Sequence, residues 1–261
     1  MQKSATTWLQ SVLQQHPDIF CHEDELHFFD EKFHKGVNWY HGKFPSSEYL
    51  RGEKTGAYAW LNSPKILNKP HDIHERIFNY NRDIKLIFIT RDPVKRAISA
   101  FHHHQRLARI SHTTRFDDYV MNIRNDNDIY GILTRGLYYE NLSKYFAIFP
   151  HKNILVLDHE EIKNNPNNVL KKVFKHLRVK NALLNTSIET NRYSASLLAL
   201  NVAYKYKFGA NIILRSDRKL NKYLKLLTLN YPDIGNAKDY LNNYYLYDSQ
   251  KFIKLLNNHV T

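Results

Sequence analysis

The sequence predicts a single α/β domain in which helices flank a central parallel sheet, and three observations carry that prediction. Two short runs of large apolar residues, Leu86-Ile87-Phe88-Ile89 and Ile154-Leu155-Val156-Leu157, are bounded by charge, the pattern of strands buried on both faces. Each is followed by a helix-start signal, Asp92-Pro93 after the first and Asn165-Pro166 after the second. No repeat, Gly/Ser-rich or Pro-rich linker interrupts the chain, which has only 8 Gly and 8 Pro in 261 residues, so residues 1–261 read as one domain. Strands alternating with helices build a parallel sheet, because parallel neighbours need a crossover between them.

Element by element, Thr6 to Gln15 places Leu9, Val12 and Leu13 on one face, opens on threonine hydroxyls and is stopped by His16-Pro17, which predicts an amphipathic helix. After the first buried strand, Asp92 caps and Pro93 occupies the first position of a helix that runs through Val94, Ala97, Ile98 and Phe101. After the second, Val169, Leu170, Val173, Phe174 and Leu177 mark another helix. From Ser194 onward Leu, Tyr, Lys and Asn recur at helical spacing, ending in a helix near Gln250 to Leu256, so the C-terminal third reads as helical scaffold.

Composition excludes several classes. With 43% hydrophobic and 24% charged residues, the chain has the balance of a folded domain rather than a disordered one. Its 38 Lys and Arg against 25 Asp and Glu give a formal charge of +13, which points to an anionic partner. The single cysteine, Cys21, excludes an intramolecular disulfide and a cysteine-based zinc site. No stretch reaches the roughly 18 to 20 apolar residues of a membrane span, and the start lacks the apolar run of a secretory signal, so a cytoplasmic location is expected.

Two constellations carry chemistry. Lys3-Ser4-Ala5-Thr6-Thr7 at a helix start offers unpaired backbone N–H groups, the positive end of the helix dipole, hydroxyls and an ammonium, which together form an anion cradle. The nucleotide-triphosphate pattern GxxxxGK[ST] is not met, because no glycine precedes Lys3. Arg91 lies at the carboxyl end of a buried strand, where open α/β sheets place ligands, and Ser99 sits about two turns into the next helix. A guanidinium fork and a hydroxyl there can grip a second phosphate. A capped helix with a solvated lysine, and a strand-end arginine paired with a carboxylate, are the ordinary alternatives.

Taken together, Lys3-Ser4-Ala5-Thr6-Thr7-Trp8-Leu9 with His16-Pro17, and Arg91-Asp92-Pro93-Val94-Lys95-Arg96-Ala97-Ile98-Ser99, resemble the 5′-phosphosulfate loop and the 3′-phosphate site of sulfotransferases that use 3′-phosphoadenosine 5′-phosphosulfate (PAPS). Glu25-Leu26-His27-Phe28-Phe29-Asp30, Gly36-Val37-Asn38-Trp39-Tyr40, Gly52-Glu53-Lys54-Thr55, and Tyr138 with Ile154 to Asp158 are similar to the glycan-directed branch, the heparan sulfate sulfotransferases and their bacterial relatives. The likeness covers roughly residues 1 to 180 well and implies a P-loop-like domain. Such relatives carry a buried strand just before the phosphate loop, whereas only Met1 and Gln2 stand there, so the first strand is expected to be missing and a late start is favoured. Ala5 stands where a glycine is common, which suits alanine only at negative φ.

The resemblance implies a donor site of Lys3, Ser4, Ala5, Thr6, Thr7, Trp8, Arg91 and Ser99, with Arg192 beside Tyr193 closing over the nucleotide, and no metal. It implies Glu25 as the base that takes a proton from the acceptor, with His27 orienting Glu25 or acting as base itself. Lys3 is the cation that meets charge on the leaving nucleotide, Lys54 lies near acceptor and sulfate, and Asp30 positions the acceptor or caps the next segment. An extended segment would put Glu25 and His27 on one face. His102-His103-His104 is a weak metal candidate, because consecutive helical residues diverge. The implied acceptor is a hydroxyl, less favourably an amine, of a carbohydrate such as a glycan or glycolipid, and no nucleic-acid motif is present. The alternatives are a P-loop kinase-like phosphotransferase, for which Asp158 alone could hold Mg²⁺, and a degenerate, non-catalytic anion- or glycan-binding protein.

Overall fold

The computed structural model describes residues 2–45, 48–111, 113–188 and 235–258. Residues 2–5 form a turn that leads directly into α1 (Thr6–Leu13), so no strand precedes α1 among the described residues. The helix forms where the sequence predicts, with Trp8, Leu9, Val12 and Leu13 buried. Past its end, His16 closes the turn: its Nδ1 accepts from the Asp18 amide at 3.1 Å and its Nε2 lies 2.9 Å from the Lys180 carbonyl.

The strands assemble as two parallel pairs. β1 (Ile19–Cys21) lies beside β2 (Leu50–Gly52), Ile19 opposite Leu50 and Cys21 opposite Gly52, with α2 (Gly36–His41) in the connection. α3 (Ile73–Tyr80) then leads to β3 (Leu86–Thr90), which pairs with β4 (Ile154–Asp158), Leu86 opposite Ile154 and Thr90 opposite Asp158. Between β3 and β4 run α4 (Pro93–Arg106), α5 (Phe116–Asn122) and α6 (Tyr138–Ile148). α7 (His159–Asn164) and α8 (Pro166–Leu177) follow β4, and α9 (Gly235–Asn257) returns to the body of the domain.

The β3–β4 pair is buried on both faces, as its uninterrupted apolar runs predict. Leu86, Phe88, Ile154 and Val156 face the cluster built on Phe28, Phe29, Tyr40, Leu142 and Tyr145, while Ile87, Ile89, Leu155 and Leu157 face α1 and α8. A third cluster joins α4 and α5 to α9 through Phe101, Phe116, Leu241 and Tyr245. The last helix is also held by a polar contact: Asp248 accepts the Tyr139 and Glu140 amides at 3.0 Å, satisfying free donors in the first turn of α6.

One expectation is corrected. The described strands do not form a single central sheet but two separate pairs. A cavity of about 390 Å³, lined by Ile19 and Cys21 of β1 and by Ile87 and Ile89 of β3, opens beside both pairs. Apolar packing on either side, rather than a continuous hydrogen-bond ladder, connects them. β1 and β2 are three residues each, too short to show an alternating pattern in the sequence.

The helix start at α4 forms as the residues dictate. Asp92 Oδ1 accepts the Lys95 amide at 2.7 Å and Pro93 takes the first turn, where its missing N–H costs nothing. Replacing the cap, Asp92→Ala, is expected to lower unfolding stability by about 1 kcal/mol in urea titration, while Asp92→Asn retains most of it. Equal stability of Asp92→Ala and the parent chain would contradict this reading of the cap.

Candidate active site

The site has a cationic half and a carboxylate half. The cationic half is built where the turn before α1 meets the end of β3. Arg91 Nη1 donates to the Lys3 carbonyl at 3.1 Å, and the Arg91 backbone is pinned by Tyr138, whose hydroxyl accepts the Arg91 amide at 3.1 Å and donates to its carbonyl at 2.7 Å. The two positive side chains are thereby held together, and neither pairs with a carboxylate among the described residues. Burial, with Arg106 and Arg91 nearby, pushes the Lys3 ammonium down to about 8. Arg91 Nε is buried without a hydrogen-bond partner. Cations in this state, one with an unmet donor, lower their energy when an anion joins them.

The backbone there is shaped for the same task. Lys3 (φ 68) and Ala5 (φ 61) are both left-handed, with Ser4 between them at negative φ and fully buried. Alternation of this kind turns successive N–H groups to one side, forming an anion-binding hollow at the start of α1. This overturns the expectation of negative φ at Ala5: the turn is so tight that an alanine is held where glycine is at ease. Thr6 and Thr7 occupy the first turn of α1. Trp8 is buried, its Nε1 donating to the Thr186 carbonyl at 3.1 Å.

Ser99 stands half-buried two turns into α4. His103 and Arg106, four and seven residues on, share its helix face. Burial, then Lys3, Arg106 and Arg109, hold the His103 imidazole down at about 4, and burial with His103, Arg109, Arg135 and Lys3 holds His104 down at about 3. The histidines have different partners: His102 bonds Gln105 at 3.0 Å, His104 stacks on Tyr130 and meets the His103 ring edge-on at 5.4 Å, and His103 belongs to the positive surroundings of Lys3. His103 and Arg106 were missed in the sequence, although their spacing from Ser99 carries the signal.

The carboxylate half lies on the segment after β1. Glu25 is braced on both oxygens: Lys54 Nζ lies 2.9 Å from Oε1 and the Gly56 amide donates to Oε2 at 3.2 Å. His27 Nε2 sits 3.7 Å from Glu25 Oε2, while its Nδ1 bonds Asp30 Oδ2 at 3.0 Å. Glu25, His27, Asp30 and Lys54 thus converge, as the residue types imply, but not through an extended segment. His27 is left-handed (φ 54), and a turn rather than strand alternation directs its ring toward Glu25. The Asp30 carboxyl bonds both His27 and the Glu31 amide of the turn that follows. The hydrogen bond to Asp30, ahead of burial, raises the His27 pKa, with Asp30, Glu31 and Glu25 adding their charge. Burial is the largest single influence on Asp30 and works against its ionised form, but the His27 bond and charge, the Glu31 amide and Lys69 together outweigh it, so the Asp30 pKa falls.

His27, Asp30 and Glu31 offer ligand atoms within 4.8 Å of one another, yet the His27–Asp30 bond and the Lys69 ammonium 3.2 Å from Glu31 already use them. The two halves are joined by the protein frame. Gln10 of α1 donates to the His22 and Glu23 carbonyls at 2.6 and 2.9 Å, fixing the approach to Glu25, and Arg135 Nη1 reaches the Gly56 carbonyl at 3.3 Å. Arg192 lies outside the described residues.

The fold agrees with the comparisons. The sulfotransferase domain family matches residues 1–197, and the chain belongs to that family. It is 30% identical over 187 residues to heparan sulfate glucosamine 3-O-sulfotransferase 3B1 of Mus musculus (69% of this chain, 45% of that one). It is 28% identical, also over 187 residues, to heparan sulfate glucosamine 3-O-sulfotransferase 5 of Homo sapiens (69% and 51%). The chain therefore spans about half the length of the curated relatives it matches. A sulfotransferase from Alicyclobacillus acidocaldarius shares the fold at a TM-score of 0.61 and 22% identity, over 82% of this chain and 91% of that one. No helix among the described residues is long and apolar enough to cross a membrane.

Two measurements check the geometry. Ala5→Gly is expected to raise stability by up to about 1 kcal/mol in thermal unfolding, since glycine is at ease in the left-handed region; a destabilised variant contradicts the loop conformation. Because the folded His27 pKa is raised, its stabilising contribution is complete below about pH 6.5 and lost as pH rises through the folded value. In NMR titration Asp30→Asn should move the His27 pKa downward and flatten that part of the pH–stability curve; an unmoved pKa contradicts the assigned partner.

Proposed function

We propose that this chain transfers a sulfuryl group from PAPS to a hydroxyl of a carbohydrate acceptor, with an amine as the less favoured nucleophile. One observation carries the reading: Lys3 and Arg91, two cations tied together through the Lys3 carbonyl with no carboxylate between them, at the end of a buried strand and the start of a helix. A donor with phosphate at both ends of its nucleoside suits that charge. Membership of the sulfotransferase family and the names of the matched relatives support the glycan acceptor.

In this reading the residues act in three places. Lys3 and the N–H groups before α1 hold the 5′ end of the donor, and Arg91 with Ser99 holds the 3′-phosphate. Glu25 takes the acceptor proton as the acceptor oxygen bonds to sulfur and the bond from sulfur to the 5′-phosphate oxygen breaks, leaving 3′-phosphoadenosine 5′-phosphate. Lys3 opposes the negative charge that grows on that bridging oxygen. His27, held by Asp30, fixes the Glu25 carboxylate, and Lys54 beside Glu25 faces the entering sulfate. The +13 formal charge suits an acidic glycan.

Calorimetric titration with 3′-phosphoadenosine 5′-phosphate should show binding that weakens by about 10- to 100-fold in Lys3→Ala and in Arg91→Ala, each losing a charged hydrogen bond. Glu25→Gln should keep that binding while reducing sulfate transfer to a glycan acceptor by about 100-fold or more. A folded chain that does not bind the nucleotide, or Glu25→Gln with undiminished transfer, would sink the proposal.

A further inference from the structure

Glu53 touches none of the groups assigned to the reaction, yet four hydroxyl or amide donors converge on its carboxylate. Oε1 accepts the Tyr40 and Tyr58 hydroxyls at 3.0 and 2.9 Å, and Oε2 accepts the Thr55 hydroxyl at 2.8 Å and the Leu26 amide at 3.3 Å. Two of those hydroxyls pass the bond onward. Thr55 Oγ1 accepts the His27 amide at 3.3 Å, and the Tyr58 hydroxyl accepts the Phe28 and Phe29 amides at 2.8 and 3.2 Å. Four consecutive backbone donors, residues 26 to 29, are therefore satisfied by one carboxylate and its two relays.

Those four residues lie between Glu25 and Asp30, and the chain there is not in a relaxed conformation. His27 is left-handed, a conformation that is unfavourable for an L-residue and persists only where surrounding structure imposes it. No helix or sheet ladder supplies that restraint, since residues 25–29 belong to neither. The hydroxyls have little freedom to choose another acceptor: each donates to Glu53 and uses a lone pair on the loop. Burial pushes the Glu53 pKa up, opposed by the hydrogen bonds from Thr55, Tyr58, Tyr40 and the Leu26 amide.

We infer that Glu53 is a positioning residue, which through Thr55 and Tyr58 locks the strained Leu26–Phe29 turn so that His27 stands between Glu25 and Asp30. This rests on the sulfuryl-transfer reading for its catalytic consequence, but not for its structural one. The same segment works from its other end as well, because Lys54 and the Gly56 amide brace Glu25 directly. Residues 53 to 56 thus form one clamp: Glu53 and Thr55 on the backbone of the turn, Lys54 and Gly56 on the carboxylate.

The test compares Glu53→Ala, Glu53→Gln and Tyr58→Phe, with three readouts. In Glu53→Ala, calorimetric binding of 3′-phosphoadenosine 5′-phosphate is expected to stay within twofold of the parent, while kcat for transfer falls at least tenfold and the NMR-measured His27 pKa moves downward as its bond to Asp30 loosens. Glu53→Gln, which keeps an acceptor oxygen, should recover part of both losses. Tyr58→Phe, which spares Glu53 but removes the relay to Phe28 and Phe29, should show the same pattern more weakly and stands in if Glu53→Ala does not fold. A folded variant whose His27 titration is unmoved overturns the inference, as does loss of nucleotide binding in step with turnover. If the parent chain transfers no sulfate at all, the functional reading fails while the His27 titration still decides the role of Glu53.

Discussion

Arg91 reaches the carbonyl of Lys3 at 3.1 Å, and this bond sets two like charges side by side where the turn before α1 meets the end of β3. The contact is unfavourable for the side chains themselves: the Lys3 ammonium is held down to about 8 by burial and by its cationic neighbours. The fold imposes it all the same, because Tyr138 pins the Arg91 backbone and the tight turn drives Lys3 and Ala5 into the left-handed region. Strain in the backbone and repulsion between charges thus fall on the same short turn. Structure held against its local preferences is commonly found where a ligand supplies the balance.

The carboxylate half is organised on the opposite principle. Every charge there has a partner: Glu25 with Lys54, His27 with Asp30, Glu31 with Lys69. Glu25 is flanked by a lysine and an imidazole, whereas Lys3 and Arg91 have no carboxylate partner among the described residues. Both halves hang from short, irregular segments on buried scaffolding, so the β3–β4 pair and α1 supply rigidity and the loops supply chemistry.

Much of this was legible in the residues. The apolar runs at 86–89 and 154–157 left no choice but buried strands, and Asp92-Pro93 could only open a helix; both signals are local and strong. Lys3 and Arg91 stood out from the residues alone, at a helix start and a strand end, whereas Glu25 and His27 stood out only through the resemblance to sulfotransferases, since a carboxylate beside Glu23 and Asp24 reads by itself as a surface group. What escaped was set by tertiary contact. The three-residue strands β1 and β2 pair only because packing brings them together, and their separation from β3 and β4 has no sequence signal. The left-handed backbone at Ala5 and His27 contradicts residue preference; Arg91 holds the Lys3 carbonyl beside the first, and Thr55 and Tyr58 hold the amides at and after the second. Trp8 stood in the donor loop through the resemblance; the bond of its indole to the Thr186 carbonyl has no sequence signal.

The central claim is that Lys3 is a strained cation which an incoming phosphate relieves, and proton linkage tests it directly. Calorimetric binding of 3′-phosphoadenosine 5′-phosphate near pH 8, repeated in buffers of different ionisation enthalpy, counts the protons taken up. With the free ammonium titrating at about 8, the account predicts uptake of about half a proton per site, abolished in Lys3→Ala. Binding without proton uptake, or the same uptake in the Lys3→Ala chain, would contradict it.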